Sequence, residues 1–396
     1  MFAFSSWGSE RGSHAAFKEK MEEYIARAPK TFFFKGRHYE FIKVLGYGAQ
    51  DMAFLCQEKD PAGGHRHGRL IVAKCSVTPL MSHHVLGNDG KEKVRRDLAV
   101  LEMLHKRRES SPPKRSMPCF FIECLGSEAL PVEVGRNKGN DQKEEGDSSN
   151  TSSGESLVEI TRAFYLVSYW PVYNGGSIEV WNPTRGDNGY HPPLYLVARM
   201  VSQVFGTLHW MYNSGKRPIA HRDLHLGNVF MHFPGWDHHS KAPYPPNFYV
   251  ADFERAGEFR SHGEAKETYK TGPWSDFDVF LGDFRILIDA YEKGPFGDYK
   301  KPQYPPKNYV WRQLHAIEEA IEQARKKAQV PEANTAPDLQ PIVQLAQALE
   351  AWCGPGHGGK GDCLLHPVAS AVYFNFYLEQ YEKSAMLWGR SAYPVM

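Results

Sequence analysis

The sequence has almost no net charge: 47 Lys and Arg stand against 46 Asp and Glu, a formal +1. Without a basic excess, nucleic-acid binding loses its usual electrostatic support, and no nucleic-acid partner is expected. Six cysteines in 396 residues are too few for a disulfide framework. Cys56, Cys75 and Cys124 sit in apolar, strand-like stretches, so reduced and buried thiols of a cytoplasmic or nuclear protein are expected. No apolar run approaches the length needed to cross a bilayer, and no membrane partner is expected. The opening MFAFSSWGSERGSHAAFK turns polar at once, which is not a signal-peptide pattern. No internal repeat is visible, and 35 Gly with 27 Pro imply many loops without reaching low complexity. The stretch 135–156 (GRNKGNDQKEEGDSSNTSSGES) has no apolar residue, cannot bury surface to offset its ordering entropy, and reads as a mobile insertion.

What is present is a large stock of core residues: 41% apolar and 13% aromatic over a length that favours two or more compact units. Phe17, Met21, Tyr24 and Ile25 share one helical face and predict an opening helix over 14–27. Strands are predicted at 38–46, 52–57 and 69–76, with PAGGHRHGR (61–69) as a hairpin loop between the last two. Val94, Leu98, Leu101 and Leu104 predict a charged helix over 91–106, and further strands are predicted at 117–124 and 162–169. Beyond Trp170 the pattern becomes helical: 194–213, then about 277–291, then 310–328. Strands first and helices later predict an α+β chain in two lobes.

Three stretches carry chemistry. Gly46-Tyr47-Gly48-Ala49-Gln50-Asp51 joins two strands, and glycines there let backbone N–H groups approach phosphate oxygens; a plain structural turn is the bland alternative. Lys74 stands in the run Leu70-Ile71-Val72-Ala73, where a charge is costly unless it meets an anion, or unless the strand is an edge. After the long helix comes His221-Arg222-Asp223-Leu224-His225-Leu226-Gly227-Asn228, and a later strand ends in Asp252-Phe253. A carboxylate, an amide five residues on and a second carboxylate after a strand suit one base and two ligands for a phosphate-bound Mg²⁺.

In order and spacing these pieces resemble the eukaryotic protein kinases over roughly residues 38–290. The resemblance implies a bilobal protein kinase-like fold, with a small β-rich N-lobe and a larger helical C-lobe. The corresponding boundaries are an N-terminal helical extension 1–37, an N-lobe 38–170, a C-lobe 171–352 and a C-terminal extension 353–396. It implies ATP and Mg²⁺ as cofactors and phosphoryl transfer to protein Ser or Thr hydroxyls. Asp223 is then the base and Asn228 and Asp252 the metal ligands. Lys74, Asp97, Arg222 and His225 join the catalytic set, and Leu45, Gly46, Gly48, Ala73, Lys74, Ser168, Tyr169 and Trp170 the ATP site. Leu166–Trp170 followed by Gly175-Gly176-Ser177-Ile178 is similar to the hinge: backbone groups near Tyr169 to Val172 would meet adenine, and Ser168 would guard the back pocket.

Several residues depart from the family pattern. The acid facing Lys74 from the helix would be Asp97, a methylene shorter than the usual glutamate; Glu102 is the alternative, about 140° further round. The third loop glycine is replaced by Asp51, a carboxylate near phosphates unless it turns outward or sees a metal. His225 and Glu254 are similar to aminoglycoside and choline phosphotransferases, and no A-P-E segment follows Asp252. A small-molecule hydroxyl is therefore the alternative acceptor, and a pseudokinase binding module is a third reading. Arg222 would meet a phosphate on Thr268, Tyr269 or Thr271, although unmodified loop residues are the plainer reading. Either Asp276 or Asp278 would brace the catalytic loop. Cys353, His357, Cys363 and His366 include zinc-ligand types, but their spacing fits no finger and an ordinary glycine-rich loop is the plainer reading. Residues 234–247 have no assigned role.

Overall fold

The computed structural model describes residues 30–47, 51–59, 69–76, 80–81, 96–113, 119–136, 159–173, 175–181, 192, 194–234, 245–258, 274–293, 305–329 and 337–353. The expected N-terminal helix, the 61–68 loop, most of the polar insertion and three of the four zinc-type residues lie outside them. The chain divides into two compact units. One holds Cys124–Trp170 and the described residues before Val94; the other holds Arg95–Glu123 and the described residues from Pro171 onward. Residues 96–123, expected within the strand-rich lobe, therefore cluster with the helical one.

The strand-rich unit is a seven-stranded sheet in the order β1-β2-β3-β4-β7-β5, with β6 also paired to β7. Its strands are β1 (Thr31–Phe34), β2 (Arg37–Tyr47), β3 (Asp51–Glu58), β4 (Leu70–Ser76), β5 (Leu80–Met81), β6 (Gly126–Arg136) and β7 (Glu159–Pro171). Lys35 and Gly36 both have positive φ, 49° and 74°, which is the backbone a two-residue hairpin needs to match strand twist. One sheet face forms the core: Phe54, Cys56, Ile71, Ala73, Cys75, Val167 and Tyr169 are buried there with Phe32 and Tyr39. Phe34 stacks on Tyr169 at 4.2 Å between ring centroids, and Phe32 meets the same ring edge-on at 6.2 Å. Alternation along β4 buries Ile71, Ala73 and Cys75 and leaves Lys74 half-buried on the opposite face.

The helical unit is organised around α2 (Leu194–Asn213), which follows α1 (Arg96–Ser110). Its buried residues run almost continuously from Tyr195 to Tyr212, the signature of a helix covered all round. Later come α3 (Trp274–Lys293), α4 (Pro305–Gln329) and α5 (Gln340–Cys353). The α2 helix packs against α5 and a strand, while α4 packs against both α3 and α5. Two small antiparallel sheets belong to this unit, and all their strands except β8 fall between α2 and α3 in the chain. One joins β8 (Gly176–Ser177), β10 (Val229–His232) and β11 (Asn247–Val250); the other joins β9 (Ile219–Ala220) to β12 (Gly257–Glu258).

Of the strand predicted at 117–124, residues 119–124 are described and form no strand. Phe121 makes an isolated parallel bridge to Val250, with Ile122 N–H donating to Val250 at 2.9 Å and Val250 N–H to Phe120 at 3.0 Å. Thr207 on α2 accepts from Phe120 N–H at 2.8 Å. These backbone groups are satisfied by a strand end and a helix, so no ladder is needed. The pairing instead falls on β6, whose Gly126, Pro131 and Gly135 look loop-like, and which runs to Arg136 beyond the expected start of the insertion. The charged helix also extends further than predicted, to Ser110. Cys56, Cys75, Cys119, Cys124 and Cys353 are free thiols, and burial pushes Cys56 up to about 12.

Candidate active site

Two short strands deliver the functional loop of the helical unit. Two residues past the end of each strand the backbone turns left-handed: Arg222 after β9 with φ 68°, and Asp252 after β11 with φ 62°. Side chains other than glycine rarely adopt this region, at a cost of about 1–3 kcal/mol unless the surroundings impose it.

The constraint on the first loop is Asp276, on the first turn of α3 and 0% exposed. Its carboxylate accepts from His221 N–H at 2.9 Å, from Tyr212 O–H at 2.8 Å and from Arg222 N–H. Burial pushes its pKa up, against the downward pull of the His221 ring and these donors. Asp278, the other candidate brace, is exposed and pairs with Arg325 at 3.1 Å. Two helical turns on from Asp276, Asp283 accepts from Leu226 N–H at 3.0 Å. Two helical turns apart, both acids lie on one helix face and serve the same loop.

Within the loop, His225 Nδ1 accepts from Gly227 N–H at 3.0 Å, so Nε2 carries the proton of a neutral ring. Burial pushes its pKa down, and Asp223, Asp283 and Asp252 pull it upward without reversing the shift. A Cβ on Gly227 would lie 2.7 Å from His225 Cε1, so that position has no room for a side chain. Asn228 is buried; its Nδ2 donates to the Asp223 carbonyl at 2.8 Å, and its own carbonyl accepts from Ala251 N–H at 2.8 Å. These bonds bring Asp223, Asn228 and Asp252 into one cluster. His221 Nε2 and the Ala251 carbonyl are 2.7 Å apart, and Phe253 packs on the His221 ring at 5.0 Å.

Asp223 is half-buried, with Oδ1 3.3 Å from a nitrogen of Arg255, whose side chain is 65% exposed. Asp252 Oδ1 is buried with no hydrogen-bond partner. An orphaned carboxylate oxygen inside a protein is costly, and a bound cation is its natural complement. Asn228 turns its amide nitrogen to the Asp223 carbonyl, which leaves its oxygen as the free ligating atom. Hard oxygen donors of this kind fit Mg²⁺, which keeps most of its water and takes few protein ligands. Among the described residues no cluster of three or more His, Cys, Asp or Glu could hold a metal ion. Cys353 is described and buried; the rest of the zinc-type set lies outside the described residues.

Arg222 donates to the Glu258 carbonyl at 2.9 Å, while the Glu258 carboxylate pairs with Arg107 at 3.0 Å and Arg217 at 3.1 Å. The phosphate-bearing residues expected near Arg222 lie outside the described residues. Asp97 is buried on the first turn of α1, where Oδ1 accepts from Leu98 N–H at 2.9 Å. Glu102 is instead exposed and pairs with Lys106 four residues on, at 2.6 Å.

The strand-rich unit holds the remaining expected residues. Leu45 is half-buried on β2, Gly46 pairs with Ala53 beside a bulge, and Ala73 is fully buried; Gly48 lies outside the described residues. Lys74 Nζ lies 3.4 Å from Asp51 Oδ2. Ser168 is fully buried; its Oγ donates to the Lys74 carbonyl at 3.4 Å and accepts from Trp170 Nε1 at 2.9 Å. Tyr169 is engaged within the sheet. Its carbonyl accepts from Leu125 N–H at 2.7 Å and has Cys124 Sγ at 3.5 Å, and its hydroxyl donates to Glu128. Those groups serve the β6–β7 pairing and the core, and β7 continues as strand through Pro171, two residues past its expected end at Tyr169.

No family model matches the chain, and no curated protein matches it. Among solved structures, a crystal structure of the BubR1 kinase domain is similar over 92% of this chain and 98% of that chain, at 13% identity and a TM-score of 0.46. A likeness of that strength carries no argument about function.

Proposed function

We propose that this chain is a phosphotransferase of protein kinase-like fold that uses Mg²⁺ and ATP to phosphorylate Ser or Thr hydroxyls of a protein. The observation that carries this reading is the buried, partnerless Asp252 carboxylate oxygen beside the Asn228 and Asp223 loop. Mg²⁺ held by Asp252 and Asn228 would neutralise charge on the nucleotide phosphates. Asp223 would orient the attacking hydroxyl and accept its proton as the new O–P bond forms and the bond from the γ-phosphorus to the leaving ADP oxygen breaks. Asp276 keeps the backbone of that loop in its left-handed turn, so the base is placed before substrate arrives. Lys74 is the strand-rich unit's own candidate contact for a nucleotide phosphate.

A small-molecule acceptor is the second reading, and His225 favours it. The family's protein kinases place a charged lysine at this position, whereas this ring is neutral and its Nδ1 is committed to Gly227.

Asp252→Asn and Asp223→Asn separate the roles. Asp252→Asn is expected to weaken Mg²⁺-dependent nucleotide binding and transfer together. Asp223→Asn is expected to bind Mg·ATP as wild type does and to lose about 10²- to 10⁴-fold in turnover. Calorimetry and radiolabel transfer, offered both generic protein and a panel of small alcohols, measure both properties and identify the acceptor. Wild type that transfers nothing, with both variants binding nucleotide normally, would leave only the binding-module reading.

A further inference from the structure

Asp51 stands where the resembled family keeps a glycine, and a bare carboxylate next to phosphates would repel them. Its position in the sheet resolves that conflict. Strands β3 and β4 are antiparallel, with Asp51 opposite Ser76 and Ala53 opposite Lys74. Asp51 and Lys74 are therefore diagonal neighbours on one face, within reach of long side chains. Their charged atoms are 3.4 Å apart, with the Asp51 side chain 9% exposed and that of Lys74 25% exposed. Burial of this degree strengthens an ion pair relative to one in water, and makes loss of either partner costly.

We infer that Asp51 is the positioning residue for Lys74: a strand carboxylate that fixes the ammonium from within its own sheet and aims it at nucleotide phosphate. An ammonium has three N–H donors, so the contact with Asp51 does not by itself exhaust the group. The partner is carried by the neighbouring strand at fixed register, so no helix has to move to assemble the pair. With Lys74 neutralising it, Asp51 adds no net repulsion toward the phosphates. This inference rests on the proposed phosphotransferase function and names the residue that orders one of its parts.

The test is a double-mutant cycle of Asp51→Asn and Lys74→Met, read by calorimetry with Mg·ATP and by thermal melts of the nucleotide-free protein. Asp51→Asn is expected to weaken Mg·ATP binding about 3- to 30-fold, and to have no further effect once Lys74 is Met. Asp51→Glu, which keeps the charge, is expected to recover most of the loss. A purely structural role would give equal losses in both backgrounds, and that result overturns the inference, as does an Asp51→Asn protein that binds as tightly as wild type or tighter. If wild type binds no nucleotide, the proposed function fails and the positioning role fails with it. The melts then report on the ion pair alone, where additive shifts would show that Asp51 and Lys74 are not coupled. Should Asp51→Asn not fold, Asp51→Ser with Lys74→Met supplies the same cycle, since serine also removes the charge.

Discussion

The two units place their charged groups by different means. In the strand-rich unit, Asp51 and Lys74 meet because neighbouring strands of one sheet are in register. In the helical unit, Asp223 sits in a loop whose backbone is tied to Asp276, with its partners 54 and 55 residues away in the chain. A sheet carries its own hydrogen bonds, so a side chain on it needs little further support. A loop has donors to satisfy, and here a buried acid from a helix takes them.

If that contrast is right, the largest effect will come from Asp276. Its replacement by Ala leaves two backbone N–H groups and the Tyr212 hydroxyl buried without their acceptor, and is expected to cost about 3–5 kcal/mol. Denaturant unfolding followed by tryptophan fluorescence measures it, with Asp278→Ala as the exposed control, expected within about 0.5 kcal/mol. Equal values for the two would break the comparison. Ser168→Ala tests the other unit. It removes an acceptor from Trp170 Nε1 and a weak donor to the Lys74 carbonyl, and about 1–2 kcal/mol is expected. A loss as large as that for Asp276→Ala would mean that the sheet depends on side-chain bracing after all.

The smallest effect is a matter of pH. Burial holds His225 below the ordinary histidine value of about 6.5, so the unfolded chain takes up a proton there before the folded chain does. Stability from this group is complete above that value and declines as pH falls through it toward the folded pKa. His105 and His232 are also lowered by burial and have the same sign. His225→Asn, which keeps an acceptor for Gly227 N–H, is expected to reduce the slope of unfolding free energy between pH 7 and 5 without removing it. An unchanged slope would mean that the ring takes up its proton equally in the folded and unfolded chain, so that burial does not shift it.

Much of the site was legible because its residues are contiguous: His221 to Asn228 is one stretch, and Asp252-Phe253 closes a strand. Strand periodicity located β2, β3, β4 and β7, and helical spacing located α2 over its full length. What the sequence hid depends on three-dimensional proximity. Asp276 and Asp278 are equivalent acids until one turns inward, and Asp51 looked like an intruder until register placed it beside Lys74. The segment Phe120–Ile122 has strong strand propensity but meets only a bridge, because its other neighbour is a helix. In β6, glycine and proline hid a strand whose partner supplies the pairing.

The left-handed residues Arg222 and Asp252 set backbone preference against chemistry. For the chain fold alone, glycine is the easiest residue at either position, and asparagine comes next. For charge at the site, neither substitutes fully. A library sorted for soluble expression would therefore drift toward glycine and asparagine at both positions and discard valine, isoleucine and threonine, while a library sorted for phosphoryl transfer would hold Asp at 252. Disagreement between those two selections at a position is a direct readout of where fold and function compete in one residue.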